Sequence, residues 1–143
     1  MIEKCYHKLL GIVLITGLFL SSCSGYGGFD DCHNTITFTN STSSPIIYFS
    51  TLKDGFFNYD PTNEDYAADY KVAAGASKSV KIGISLSCWE QVIKSADGYL
   101  YIYVYDANYV ETNGWAESKN KFIHKYTLDV KQLNKMGWKV NYK

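Results

Sequence analysis

The alternation of apolar and polar positions is sharpest at residues 99–105, which read Tyr99-Leu100-Tyr101-Ile102-Tyr103-Val104-Tyr105. A period of two sends Leu100, Ile102 and Val104 to one face of a strand and the four tyrosines to the other. The aliphatic face must be core. The tyrosine face either lies beneath another layer or stands free as a candidate binding platform of the kind on which sugars stack. Tyrosine is common in ordinary strands, so burial is the expected state. Within the row, Tyr101 and Tyr103 are expected to be covered. Tyr99 and Tyr105 are expected to reach solvent at the strand ends, where their hydroxyls need no internal partner.

The same period marks residues 35–39, where Ile36 and Phe38 alternate with threonines, and residues 138–142, which close the chain as a strand. Residues 45–50 form another strand, with Pro45 acceptable at its first position. A turn at residues 40–44 joins it to the first strand, and the two are expected to pair antiparallel. Residues 72–84 read as a short strand, a turn at Gly75-Ala76-Ser77 and a strand carrying Val80 and Ile82; residues 122–128 supply one more. Helical signals are brief. Residues 88–93 form one turn, and Val110, Glu111, Trp115 and Ala116 fall in a loop or short helix. Asp129 and Gln132 have the spacing of a capping box, opening a helix through Leu133 that Gly137 ends. Short strands separated by turns predict a mainly β fold, an immunoglobulin-like sandwich with one or two short helices. The alternative is an α+β arrangement with a single sheet.

The N-terminus follows a different pattern. Residues 9–20 are almost continuously apolar and follow Lys4 and Lys8, the arrangement of a secretory signal peptide. The run falls short of the roughly 20 residues a membrane span needs. It ends in Leu20-Ser21-Ser22-Cys23, which resembles the lipobox of bacterial lipoproteins. The resemblance implies cleavage after residue 22 and diacylglyceryl transfer to the Cys23 thiolate. Acyl chains contributing about 0.8 kcal/mol per buried CH₂ make such an anchor practically permanent. Residues 23–31, with Gly25, Gly27 and Gly28, then read as a flexible tether, and residues 32–143 as a single domain large enough for one core. Asp30 and Asp31 lie farther from Cys23 than the acidic signal that sends some lipoproteins to the cell exterior. The expected location is therefore the cell envelope, at the outer membrane, with its side left open.

Charge narrows the partners. The 14 basic and 14 acidic residues balance, and loss of Lys4, Lys8 and Glu3 with the signal leaves acids one ahead. Nothing draws the chain to nucleic acid in general. There is no arginine, so bidentate guanidinium recognition of phosphate or carboxylate is excluded. The membrane is the expected partner through the lipid, with a glycan or an envelope protein as candidates for the domain.

With Cys5 removed and Cys23 lipidated, Cys32 and Cys88 are the remaining thiols. In an oxidising compartment they are expected to form a disulfide. A zinc site built from Cys32, His33, Cys88 and His124 is the sharper alternative, but no CxxC or HxxxH spacing supports it. Asp60, Asn63, Glu64, Asp65 and Asp69 could offer oxygens to calcium, yet they do not match the EF-hand order. No metal or cofactor is expected. Gly83-Ile84-Ser85-Leu86-Ser87 lacks the last glycine of a nucleophile elbow, and no pair of carboxylates is singled out for glycoside hydrolysis.

The blocks Trp89-Glu90, Tyr105-Asp106, Val110-Glu111, Tyr126-Thr127-Leu128, Leu133, Met136, Trp138, Val140 and Tyr142 resemble a family of small, uncharacterised lipoproteins of Gram-negative bacteria. The C-terminal block of that family runs Tyr-Thr-Leu-Thr, an Asp-Leu pair, then Asn-Trp. Asp129, Gln132 and Gly137 depart from it while preserving a cap and a turn. The resemblance implies an envelope lipoprotein and transfers no catalytic residue. A noncatalytic binding or structural module is thus the expected function, with a small secreted hydrolase as the alternative.

Overall fold

A computed structural model describes residues 32–63, 67–81 and 88–143, and residues 32–143 make up one compact unit. Among the described residues there are two sheets and five helices, with more residues in strands than in helices. The expected signal peptide, Cys23 and the expected tether lie outside the described residues, as do Glu64, Asp65 and residues 82–87. No described helix is long and apolar enough to cross a membrane.

β1 (Thr35–Asn40) buries every second residue, Ile36, Phe38 and Asn40, as its alternation requires. Its solvent face pairs hydroxyls across to β4 (Ser77–Lys81), with Thr39 Oγ1 2.8 Å from Ser77 Oγ. β4 lies antiparallel on one side of β1, and β7 (Lys139–Tyr142) lies parallel on the other. The second sheet is antiparallel throughout, in the order β3 (Lys71–Val72), β2 (Ile46–Thr51), β5 (Leu100–Asp106), β6 (His124–Leu128). Exposed Lys81 and half-buried Lys78 sit on edge strand β4, a placement that discourages pairing with another chain.

The expected β1–β2 hairpin does not form. The two strands belong to different sheets, and the chain crosses between them at residues 41–45. Asn40 organises the crossing. It is fully buried; its Nδ2 donates to the carbonyls of Ser44, Val72 and Ala73 at 2.8, 3.2 and 3.2 Å, and its Oδ1 accepts from Thr42 N at 3.0 Å. One amide thus satisfies backbone groups that no ladder reaches, a need a hairpin would not have created. The single-sheet alternative is likewise replaced by two sheets.

The sheets share one core. Ile36 and Phe38 of β1 and Val140 of β7 meet Ile46, Tyr48, Leu100, Ile102, Val104 and Leu128 from the other sheet. The Phe38 and Tyr48 rings stack with centroids 4.9 Å apart. The far face of the four-stranded sheet carries a second core of Ile47, Phe49, Tyr101, Tyr103 and Tyr105. It is covered by Ala107 and Val110 of α3 (Ala107–Asn113), by Trp115 of α4 (Trp115–Ser118), and by Phe57, Tyr59 and Tyr70. Tyr70 ends the short α1 (Ala67–Tyr70). With both faces covered, β2 and β5 bury consecutive residues rather than alternate ones.

α2 (Trp89–Ser95) starts at Cys88 and buries Trp89, Glu90 and Ile93. α5 (Val130–Lys135) opens with the capping box: Asp129 Oδ1 accepts from Gln132 N at 2.7 Å, and Gln132 Oε1 accepts from Asp129 N at 2.9 Å. Gly137 then turns the chain at φ 60°, and Trp138 follows at φ 59°. That conformation is unfavourable for a side chain with a Cβ. It is held by burial of the indole, by its N–H donating to Asn134 Oδ1 at 2.7 Å, and by stacking on His33 at 4.4 Å.

Candidate functional site

The tyrosine row of β5 is not a platform. Tyr101, Tyr103 and Tyr105 are 8%, 2% and 0% exposed, and Tyr99, just before the strand, is the open member at 42%. Tyr105 departs from expectation. Instead of reaching solvent at the strand end, its ring meets Trp115 edge-on at 5.1 Å and its hydroxyl donates to Lys119 O at 2.9 Å. Burial pushes that hydroxyl's pKa up. The reason is topological: β5 runs directly into α3, and α3 and α4 fold back over the strand.

Tyr103 is equally committed. Its hydroxyl donates to Asp54 and accepts from Gly55 N at 2.7 Å, tying the loop after β2 onto the sheet. Burial, then the Asp54 hydrogen bond, raise the Tyr103 pKa. Lys125, with Tyr103, holds Asp54 below the usual carboxylate range. The Lys125 ammonium also lies 5.2 Å from the Tyr101 ring centroid. These groups lock a loop in place and leave no free face for a ligand.

A second cluster forms where the chain before β1 meets the start of α2. Trp89 N donates to His33 O at 2.9 Å, and the buried Glu90 carboxylate receives His33 N at 3.1 Å. Its Oε1 also lies 2.6 Å from His33 Nδ1. Burial pushes the Glu90 pKa up, but the hydrogen bonds from the His33 side chain and backbone outweigh it, and the net shift is downward. Cys32, exposed, and Cys88, buried, are free thiols that lie near enough to influence one another. The neighbouring Cys88, and then desolvation, push the Cys32 pKa up to about 11. A thiol so placed stays protonated at neutral pH, the opposite of an activated nucleophile.

Of the zinc candidates, His124 takes a different set of neighbours from Cys32, His33 and Cys88. His124 packs against the Tyr126 and Tyr142 rings at 4.4 and 5.9 Å. Asp60 spends Oδ1 on Thr62 N and Oγ1 in a local turn, at 2.8 and 2.6 Å. No group of three or more His, Cys, Asp or Glu side chains able to hold a metal occurs among the described residues.

What sequence reasoning missed is a groove of about 420 Å³ at the end of β2, where the chain leaves the sheet. Ser50, Phe56, Asn58, Tyr59, Trp89 and Leu100 line it, with Lys53 at its margin. Phe56 is half exposed, and the Lys53 ammonium sits 5.9 Å over its ring. Trp89 is only 8% exposed, and its indole Nε1 is the buried side-chain polar atom that lacks a hydrogen-bond partner among the described residues. An orphaned donor of this kind costs about 1–3 kcal/mol. No sequence signal marked the groove, because its walls come from β2, the following loop, α2 and the start of β5. No protein-family model matches the chain, and neither does any curated protein or solved structure.

Proposed function

We propose that this chain is a lipid-anchored module of the bacterial cell envelope, attached to the outer membrane through Cys23, that binds rather than transforms its partner. Residues 1–22 act as the export signal, residues 23–31 as the tether and residues 32–143 as an immunoglobulin-like sandwich domain. The kinship with small Gram-negative lipoproteins belongs to the same proposal and rests on the C-terminal block around Trp138. The observation that carries the binding role is the groove beside Trp89, a concave site with several aromatic side chains in its walls. A noncatalytic role is supported by the closure of His33 onto Glu90.

The anchor is tested by Cys23→Ala. The native chain is expected to take up radiolabelled acyl groups and to sediment with membranes. The variant is expected to incorporate no label and to keep its signal peptide. Label in the variant equal to that in the native chain would remove the anchor from this account.

A further inference from the structure

We infer that the end of the domain at which the chain enters from the lipid anchor rests on the bilayer, with Phe56, Tyr99 and Met136 seated among the lipid headgroups. This rests on the anchor proposed above and names the membrane surface as the partner of that end.

Among the described residues, the large apolar side chains most open to solvent are Phe56, Tyr99, Tyr109, Phe122, Ile123 and Met136. They divide between the two ends of β5. Tyr99 adjoins Leu100, the first residue of the strand, and Phe56 and Leu100 line one groove. Met136 lies in the stretch between Leu128, which pairs with Leu100, and Trp138, which stacks on His33. At the other end, α3 carries Tyr109 on from Asp106, and Ile123 N donates to Val104 O at 2.8 Å with Phe122 beside it.

The point of chain entry decides between the two. Cys32, the first described residue, neighbours Cys88, and the His33 carbonyl accepts from Trp89 N at 2.9 Å. Trp89 in turn lines the groove with Phe56 and Leu100. The chain thus enters at the end that carries Phe56 and Tyr99. From Cys23 to that point residues 23–31 reach at most about 30 Å. To seat the opposite end, the same residues would first have to run the length of β5, about 20 Å, away from the membrane. Contacts at the entry end are made at high effective concentration, so weak ones suffice.

The chemistry suits a headgroup layer. Tyr99 joins an apolar ring to a hydroxyl, the amphipathic form enriched at membrane interfaces. The Lys53 ammonium, 5.9 Å over the Phe56 ring, keeps its charge at lipid phosphate while its stem lies along apolar surface. Phe56 is also the open lip of the groove beside Trp89, so the partner of that groove is the membrane surface itself.

The probe is the full mature, lipidated chain in vesicles of phosphatidylethanolamine and phosphatidylglycerol, with and without phosphatidylcholine brominated on its acyl chains. A tryptophan is placed at each end in turn, as Tyr99→Trp and Ile123→Trp. The native indoles of Trp89, Trp115 and Trp138 are buried, and their blue emission reports that each variant is folded. Tyr99→Trp is expected to shift its added emission to the blue and lose at least about half of it to brominated lipid, as a ring in the interface does. Ile123→Trp should lose little. Adding Phe56→Asp, on an exposed loop, is expected to abolish most of the quenching at position 99. Quenching that is absent at 99, equal or greater at 123, or undiminished by Phe56→Asp would overturn the inference. Absence at both ends would leave these side chains to a soluble partner. Flotation of the same vesicles separates the two levels. A chain that floats without quenching at 99 keeps the anchor and loses the docking, and one that does not float loses both.

Discussion

Tyr105 ends β5 with its ring against Trp115 and its hydroxyl on the Lys119 carbonyl, so two separable contributions meet in one side chain. Tyr105→Phe is expected to lose only the hydrogen bond, about 1 kcal/mol. Tyr105→Ala also leaves a cavity in the second core and is expected to cost about 3–5 kcal/mol. Urea midpoints of the two variants measure the difference, and near-equal values would mean that the ring packs loosely. Glu90 adds a pH dependence. Its folded pKa lies below the ordinary 4.5, so its contribution is fully present above that value and is lost as the pH falls through the lowered one. Glu90→Gln is expected to destabilise the fold by about 1–3 kcal/mol at neutral pH. It should also flatten the fall in stability below about pH 4.5, as urea midpoints over a pH series would show. Which tyrosines share a face was legible in the sequence, because a period of two is local. Their exposure was legible at Tyr99, Tyr101 and Tyr103 but not at Tyr105, because Trp115 arrives from another part of the chain. Trp89 was legible only as part of a helical turn, since its missing partner is a property of the assembled walls.

Elements defined by neighbouring residues were the readable ones. The capping box of α5 needs only Asp129 and Gln132, three apart, and both of its bonds are present. The alternations of β1 and β7 likewise name their own buried faces. The partner of β1 was not readable. The residues that join it to β2 suit a hairpin turn as well as a change of sheet, and the choice is made by Asn40, whose amide reaches the carbonyls of Val72 and Ala73 far along the chain. Asn40→Ala is therefore expected to lower stability by about 1–3 kcal/mol by orphaning those carbonyls. Asn40→Asp should be worse, because it sets a carboxylate against carbonyl oxygens in a fully buried position. Thermal midpoints rank the three chains. An Asp variant as stable as the Ala variant would show that the amide's donors do not hold the crossing.

For the molecule as a whole, the open question of stability is whether Cys32 and Cys88 become a bridge. The fold juxtaposes them: Cys32 precedes β1, Cys88 caps the start of α2, and the Cys88 side chain shifts the Cys32 thiol. A bond there would close the long loop containing β1 to β4, worth about 4 kcal/mol if chain entropy dominates. It would also tie the three-stranded sheet to the helix that carries Trp89 and Glu90. The Cys32 pKa of about 11 bears on the route rather than the outcome. With little thiolate at neutral pH, spontaneous exchange is slow, and formation depends on an oxidising compartment. The expectation is that chain purified after export resists alkylation at both cysteines until it is reduced. Its urea midpoint should then fall on reduction to that of Cys88→Ser. Two alkylated thiols in exported, unreduced protein would leave the pair as the free thiols of this structure, with α2 held at the sheet by the core packing of Trp89 and Ile93 and by the His33 hydrogen bonds.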